Sequence, residues 1–287
     1  MARVIALVVL GASVLGSIAA QAEPVKVWEL TGLKAPESAL PDPSGLVLYV
    51  SNIDGSPVEK DGKGAISKVS PDGKMVEPNW VTGLDAPKGM AISGGRLYVS
   101  DIDKLVEIDL ASGKVSARHE APGAKFLNDV EADRQGRIYV SDMFTDTIWR
   151  LENGRFEPWL QDQALLSPNG LYAQGDKLIV ATWGIRKSDG FETSTAGHLI
   201  EVSLKDKSVR DLGSAPVGNL DGIELQGESY LVTDWMAGEL YRITSDGKPE
   251  RLLDLPQGSA DLTYLQDQRI AVIPMMMDNK LVAYRIE

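Results

Sequence analysis

One short apolar phrase recurs six times along this chain, and it constrains the fold more than any other feature. The six copies are LYVSN (48–52), LYVSD (97–101), IYVSD (138–142), LIVAT (178–182), YLVTD (230–234) and IAVIP (270–274). Their first residues lie 40 to 52 positions apart. A repeat of about 40–50 residues made of short strands is typical of a β-propeller with one blade per repeat. We therefore predict an all-β fold, a six-bladed β-propeller.

Each phrase is the second strand of a four-strand unit, but the last unit is incomplete. It ends with LVAYRI (281–286) as its third strand, and no outer strand follows. VKVWEL (25–30) precedes the first repeat and has the length of an outer strand. We predict that this N-terminal strand completes the last blade, burying Val25, Val27 or Trp28, and so removes the open edge of the ring.

Two repeats are longer than the others, in both cases after the second strand. The additional residues cover 53–64 in the first repeat and 184–197 in the fourth. Equivalent insertions lie on the same face of a propeller. They are either tolerated surface loops or a pair of lids over the mouth of the central channel.

The first 22 residues have the organisation of a secretory signal peptide. Arg3 precedes an apolar run over 4–18, and an Ala-x-Ala sequence ends at Ala22. The alternative is a membrane anchor, for which the run is short, since a span needs about 20 residues. We predict a signal peptide over 1–22 and a single propeller domain over 23–287, in the periplasm or outside the cell. The sequence contains no cysteine, so stability must come from packing and strand pairing.

The charge of the chain limits its partners. The formal net charge is −12, which argues against binding to nucleic acid or to anionic membranes. We expect a small-molecule substrate, no membrane contact after signal cleavage and a monomeric protein.

Six residues at matched positions just before the innermost strand point to a site on the propeller axis. They are Glu37, Lys88, Asn128, Asn169, Asp221 and Asp261. The innermost strand of each blade borders the central channel, so these side chains are expected to converge at its mouth. Each of them could alternatively cap a turn, a common role for Asp and Asn.

This predicted ring contains three carboxylates, two carboxamides and one ammonium group. A divalent cation would relieve the repulsion between the carboxylates, and calcium prefers such oxygen ligands. His119 and His198 fall on outer and third strands, which argues against zinc. We predict one divalent cation, calcium in preference to manganese or magnesium. The Asn and Asp residues that end the second strands, Asn52, Asp101, Asp142 and Asp234, are interpreted as structural.

The same residues carry a family resemblance. Glu37, the Asn128-Asp129 pair in KFLNDVEAD, Asn169 in SPNGLY and Asp221 in NLDGIEL resemble the SMP-30/gluconolactonase/LRE-like propellers. Those propellers are similar in architecture to paraoxonases and diisopropyl-fluorophosphatase.

The resemblance implies that Glu37, Asn169 and Asp221 bind a catalytic cation and that Asn128 contacts the metal or the substrate. It also implies hydrolysis of sugar lactones or of related esters or organophosphates. Some positions depart from the family: members often carry an arginine where this chain has Phe126, and Lys88 adds a positive charge to the ring. These departures argue against gluconolactone as the substrate.

Two functions follow from these observations. The first is a metal-dependent hydrolase of a lactone or ester, in which Asp221 or Asp129 accepts the proton of the attacking water and Asn128, Lys88 and Asp261 contact the substrate. The second is a non-enzymatic periplasmic propeller that binds a ligand or serves as a scaffold around a structural cation.

Overall fold

The protein is a six-bladed β-propeller, as the repeat predicts. The structure, a computed structural model, describes residues 23–188, 190–213 and 216–287; the predicted signal peptide lies outside these residues. Six antiparallel sheets of four strands each surround a central channel, and a separate two-stranded hairpin is attached to the fourth blade. The innermost strands contact one another around a closed ring.

The first three blades are regular four-stranded meanders. Blade 1 consists of β2 (Pro36–Pro41), β3 (Leu48–Asn52), β4 (Gly64–Val69) and β5 (Met75–Leu84). Blade 2 consists of β6 (Pro87–Ser93), β7 (Arg96–Asp101), β8 (Lys104–Asp109) and β9 (Lys114–Glu120). Blade 3 consists of β10 (Leu127–Ala132), β11 (Ile138–Asp142), β12 (Thr147–Glu152) and β13 (Arg155–Gln161).

The last three blades contain the departures from this regularity. Blade 4 consists of β14 (Pro168–Gln174), β15 (Lys177–Thr182), β18 (Leu199–Ser203) and β19 (Val209–Leu212), with the hairpin β16 (Gly184–Arg186) and β17 (Thr193–Ala196). Blade 5 consists of β20 (Leu220–Gln226), β21 (Ser229–Asp234), β22 (Glu239–Thr244) and β23 (Pro249–Asp254). Blade 6 consists of β24 (Thr263–Leu265), β25 (Ile270–Met275), β26 (Lys280–Arg285) and β1 (Val25–Thr31). Single 3-10 turns cover Gln163–Leu165, Gln266–Gln268 and Met276–Asp278.

The N-terminal strand closes the ring as predicted. β1 pairs antiparallel with β26, from Val25 opposite Arg285 to Thr31 opposite Lys280. Of the three candidates for burial, Trp28 is the one that is partly buried, whereas Val25 and Val27 are 61% and 42% exposed. Trp28 packs against the core between blades 6 and 1, and its indole N–H donates to the carbonyl of Pro71 in blade 1 at 3.0 Å.

The core lies between neighbouring blades, since each sheet buries both of its faces. Tyr49 of blade 1, for example, packs in one cluster with Leu97 and Val99 of blade 2. The second strands, which carry the repeated phrase, are almost entirely buried and form the middle of each blade. Within the described ranges, no helix is long and apolar enough to cross a membrane.

The polar residues that end the second strands have the structural role predicted for them. Asp101 accepts hydrogen bonds from the backbone N–H groups of Asp85 and Ala86, and Asp142 accepts them from Lys125 and Phe126. These bonds fix the segment that leads into the innermost strand of the same blade. They therefore set the position of the ring residues that follow two or three positions later.

Candidate functional site

Five polar side chains from the innermost strands line one cavity at one end of the channel. The cavity has a volume of about 500 Å³. The five residues, each at the start of its strand, are Glu37, Lys88, Asn128, Asn169 and Asp221. All five are buried, with at most 5% of their surface exposed. The structure thus brings together five of the six residues predicted for this ring, which we call the polar ring.

Hydrogen bonds connect three members of the polar ring. The Asn128 side-chain amide donates to Oδ1 of Asn169, and the Asn169 side chain is hydrogen-bonded to the carboxylate of Asp221. This series orients both carboxamides, whose oxygen and nitrogen ends would otherwise be free to exchange places. The Asn169 amide nitrogen is consequently turned towards the Asp221 carboxylate and its oxygen towards Asn128.

Glu37 is the member with an unmet electrostatic requirement. Its Oε2 is buried and has no hydrogen-bond partner among the described residues. Burial raises the pKa of Glu37 well above its usual range, the Asp221 and Asp261 carboxylates raise it further, and Lys88 lowers it. A buried carboxylate oxygen without a partner is costly, and a cation next to it would remove that cost.

Asp221 and Lys88 are also buried in the polar ring, and burial shifts the pKa of each away from its usual value. Burial and the charge of Asp261 raise the pKa of Asp221 well above its usual range, while the bond from Asn169 lowers it. Burial lowers the pKa of Lys88 to about 8, against the opposing effect of Glu37 and Asp101. The Lys88 ammonium donates to the carbonyl of Ala86 at 3.0 Å and lies 4.5 Å from the centre of the Phe126 ring.

Asp261 does not reach the mouth, so the prediction of six converging side chains is wrong at this position. The sixth blade has one additional residue before its innermost strand. Thr233 Oγ1 donates to the carbonyl of Ala260, as Ser100 Oγ donates to that of Asn128 in the third blade. Ala260 therefore occupies the ring position. Asp261 lies one residue further along the channel, where it accepts a hydrogen bond from Ser38 at 2.6 Å.

Asp129, one of the two predicted bases, also lies below the mouth. Its two carboxylate oxygens accept hydrogen bonds from the backbone N–H groups of Val130 and Leu171, at 2.7 and 2.6 Å. It lines a second cavity of about 70 Å³ together with Asp261, Glu131 and Glu224. Of the two predicted bases, only Asp221 lines the mouth cavity.

This second cavity, which we call the inner cavity, is lined by a group of carboxyls that sequence reasoning missed. Burial raises the pKa of Glu131 to about 7 and that of Asp261 to about 7. Burial, with the charges of Glu131 and Asp261, raises the pKa of Glu224 to about 8. Burial therefore disfavours the ionised form of each of these carboxyls near neutral pH.

The polar ring is suited to a hard cation, although not by carboxylates alone. In the part of the chain that the structure describes, no three or more His, Cys, Asp or Glu side chains are grouped so as to hold a metal ion. The ring instead combines two carboxylates, Glu37 and Asp221, with two carboxamides, Asn128 and Asn169. Such mixed oxygen donors fit calcium better than zinc.

The walls of the mouth cavity are apolar, a feature that sequence reasoning also missed. They include Met143, Trp183, Trp235 and Met276. The signal was present in the repeat, because the residue directly after the second-strand phrase is apolar in every copy. These residues are Ile53, Ile102, Met143, Trp183, Trp235 and Met275. Four of them, Ile53, Met143, Trp183 and Trp235, line the cavity.

Both sequence insertions reach this cavity. Gly55 and Pro57 of the first insertion line it, and so does Phe191 in the turn between β16 and β17. The Phe191 ring contacts those of Phe126 and Trp183, with centroids 5.5 and 6.0 Å apart. Of the two interpretations of the insertions, this arrangement favours segments that enclose the channel mouth.

The fold and the polar ring define a class: six-bladed propellers with a buried, oxygen-rich site at one end of the channel. Several solved structures share this fold. The gluconolactonase XC5397 from Xanthomonas campestris is 16% identical with a TM-score of 0.66, and the match covers 92% of this chain and 89% of that one. A candidate gluconolactonase is also 16% identical, with a TM-score of 0.64 and 92% of each chain covered.

A second activity occurs among the similar structures. The virginiamycin B lyase of Staphylococcus aureus, solved as a catalytically inactive histidine-to-alanine variant with quinupristin, is 15% identical with a TM-score of 0.62. That match covers 92% of this chain and 100% of the lyase. By sequence, no family model and no curated protein matches the chain. These likenesses establish the gluconolactonase-like propeller fold.

Proposed function

We propose that this protein is a metal-dependent hydrolase of a lactone or related ester, acting in the mouth cavity. The observation that carries the proposal is the buried Oε2 of Glu37, which lacks a hydrogen-bond partner within the described ranges. It belongs to the same ring as Asp221 and Asn169, at the floor of a cavity large enough for a small molecule.

Glu37, Asn169 and Asp221 would hold the cation, with Asn128 beside it. Two carboxylates neutralise the charge of a divalent ion, and the Asn169 carbonyl adds a neutral donor. So few protein ligands leave positions for water and substrate, since calcium takes six to eight oxygens. Calcium is the ion we propose; manganese and magnesium accept the same donors.

The residues of the polar ring would have different roles in ester hydrolysis. A bound divalent cation supplies polarisation of the ester carbonyl and a lower pKa for water. Asp221 accepts the proton of the attacking water at its carboxylate. Asn128 holds the Asn169 amide in place through its hydrogen bond. Lys88 has three N–H donors, of which one is bonded to Ala86, so the others can donate to a substrate oxygen.

The positions of the two histidines favour hydrolysis over a lyase reaction that needs histidine. His119 pairs with Glu107 at 3.2 Å, and His198 pairs with Asp211 at 2.9 Å. Neither lines the mouth cavity. The similar lyase, in contrast, is inactive when one histidine is replaced by alanine.

A turnover screen tests the proposal. Metal-stripped protein is incubated with lactones, aryl esters and phosphotriesters, with and without added calcium, manganese or magnesium. Hydrolysis of a lactone or ester that appears only with added cation supports the proposal. Binding of these compounds without any turnover contradicts it and favours the ligand-binding alternative.

We also propose that the protein is exported and acts in the periplasm or outside the cell as a monomer. The proposal depends on the N-terminal sequence, in which Arg3, an apolar run and Ala20-Gln21-Ala22 precede Glu23. Mass spectrometry of the periplasmic or secreted fraction should find a mature N-terminus near Glu23. A membrane-bound product that retains Met1 would contradict it.

A further inference from the structure

The apolar walls of the mouth cavity are contributed by five blades, including blade 1 through Ile53, and they surround the polar ring. Met143 belongs to blade 3, Trp183 and Phe191 to blade 4, Trp235 to blade 5 and Met276 to blade 6. The cavity volume of about 500 Å³ is within the range of small-molecule sites. A ligand whose reacting group touches the ring must therefore place the rest of its surface against thioethers and aromatic rings.

These walls have few polar groups to offer. The indole N–H of Trp183 already donates to the carbonyl of Phe191 at 2.8 Å. The carbonyl of Trp183 already accepts from the side chain of Asn219 at 2.8 Å. Methionine and phenylalanine side chains donate no hydrogen bonds. Among the described residues, the indole N–H of Trp235 is left without a hydrogen bond, but the several hydroxyl groups of a sugar would lose their water on entry and find few replacements along these walls, which opposes binding.

The exposure of the apolar residues increases from the base of the cavity to its rim. Phe126, Met143 and Trp183 form a packed cluster, each at most 4% exposed. Phe191 and Met277, further out, are 39% and 61% exposed. Large apolar side chains exposed next to a cavity mark a surface that a ligand covers, and covering them gives favourable free energy in proportion to the area removed from water.

From these observations we infer that the ligand of the mouth cavity is an apolar carbonyl compound, a lactone or ester bearing an alkyl chain or an aryl group, and not a polyhydroxylated sugar lactone. Its carbonyl lies at the polar ring and its apolar body lies against Met143, Trp183 and Phe191. The choice of a lactone or ester depends on the proposed function. The apolar character of the ligand depends only on the walls.

A pair of six-membered lactones separates the two substrate classes. A δ-lactone with a pentyl side chain is compared with glucono-δ-lactone in the presence of calcium. We expect a kcat/KM for the pentyl compound that is higher by a factor on the order of ten or more, because an alkyl chain of this length buries several methylene groups. An equal or higher kcat/KM for glucono-δ-lactone would overturn the inference and leave the hydrolase proposal intact.

A binding measurement makes the inference independent of turnover. A pentyl-substituted cyclohexanone, which has the ring and chain but no ester bond, is titrated into the protein while tryptophan fluorescence is followed. We expect saturable quenching, since Trp183 and Trp235 line the cavity. Phe191→Ser should weaken this binding by about tenfold.

The matched control lies on the same hairpin. Ile185 is 49% exposed but does not line the mouth cavity, so Ile185→Ser should change the dissociation constant by less than about twofold. Quenching by the ketone without hydrolysis of any lactone would support the apolar ligand and contradict the hydrolase. No saturable binding of the ketone, or equal weakening by both variants, would overturn the inference.

Discussion

Asn169 and Asp221 are neighbours in the polar ring, but their removal should have different consequences. Asn169→Ala removes a neutral ligand, whereas Asp221→Ala removes a ligand and the proposed base. Both variants should bind calcium more weakly than the wild type. At saturating calcium, Asn169→Ala should regain part of its kcat, and Asp221→Ala should remain inactive, as measured by lactone hydrolysis over a calcium series.

A control for this comparison is Asn79→Ala, at an exposed position of β5, the outermost strand of blade 1. It should leave both calcium affinity and kcat unchanged. Asp221→Ala with wild-type kcat at high calcium would show that another group accepts the proton. Asn169→Ala with unchanged calcium affinity would remove this residue from the ligand set.

Glu224 should make the stability of the protein depend on pH. Burial raises its pKa from 4.5 to about 8, so between these values the folded state holds a proton that the unfolded state has released. The free energy of unfolding therefore falls as pH rises through this window. Glu224→Gln can still accept the hydrogen bond from Thr263, and its stability relative to the wild type should rise by about 3–4 kcal/mol from pH 5 to pH 8.

The measurement is denaturant unfolding at both pH values, with Glu228→Gln in the exposed turn of the same hairpin as control. The control should follow the wild type. A stability difference between Glu224→Gln and the wild type that is the same at pH 5 and pH 8 would show that Glu224 is ionised in the folded state.

For single residues, the sequence predicts the position of a side chain along the channel correctly where the repeat is regular. Matched spacing from the repeated phrase implies that side chains of different blades lie at the same level of the channel. This rule correctly placed Glu37, Asn128, Asn169 and Asp221. Asp261 was misplaced because one additional residue in blade 6 moves it down the channel, and residue spacing does not reveal where the backbone takes up an additional residue. Glu131 and Glu224 were missed because their burial depends on the closed ring.

Among the elements, β1 contributes to stability chiefly through Trp28. Its ring packs in the core between blades 6 and 1, and its N–H reaches Pro71. The Trp28 ring packs closely against Gly73, where an added Cβ would lie 2.5 Å from the indole. The φ of +81° at Gly73 also favours glycine there. Trp28→Ala should lower the free energy of unfolding by about 2 kcal/mol, and removal of residues 23–31 should lower it further.

Val27→Ala is the matched control, because Val27 lies on the same strand and is 42% exposed. Its effect should stay within about 0.5 kcal/mol. The measurement is thermal melting of Trp28→Ala, Val27→Ala and the protein without residues 23–31, each compared with the full mature form. A truncated protein that melts within a few degrees of the full mature form would mean that β1 is dispensable for ring closure.

The order and pairing of the elements could be predicted from the sequence, and the course of the insertions could not. The repeat length and the repeated phrase predict β3, β7 and their counterparts, because short apolar runs rich in β-branched and aromatic residues favour strands that are buried on both faces. The turn that carries Phe191 has no such pattern. Its position is set by contacts with the nearby Trp183 and with Phe126 of the neighbouring blade, and the second contact appears only once blades 3 and 4 have packed together.

For the whole molecule, function depends on bringing distant residues to one end of the channel. Glu37 and Asp221 are far apart in sequence, yet ring closure places both at the floor of one cavity. Burial raises the pKa of both carboxyls, and Lys88 offsets only part of this effect at Glu37. The central claim is therefore that the folded propeller binds one divalent cation at the polar ring.

A calcium titration of the metal-stripped protein tests this claim most directly. Isothermal calorimetry should give one site, and the melting temperature should rise with calcium, since a ligand at a hundredfold excess over its Kd adds about 2.7 kcal/mol to the native state. Glu37→Gln should lose most of this rise, and Glu77→Gln on the exposed part of β5 should keep it. No binding heat and no shift in melting temperature, together with no metal in the purified protein, would contradict the account.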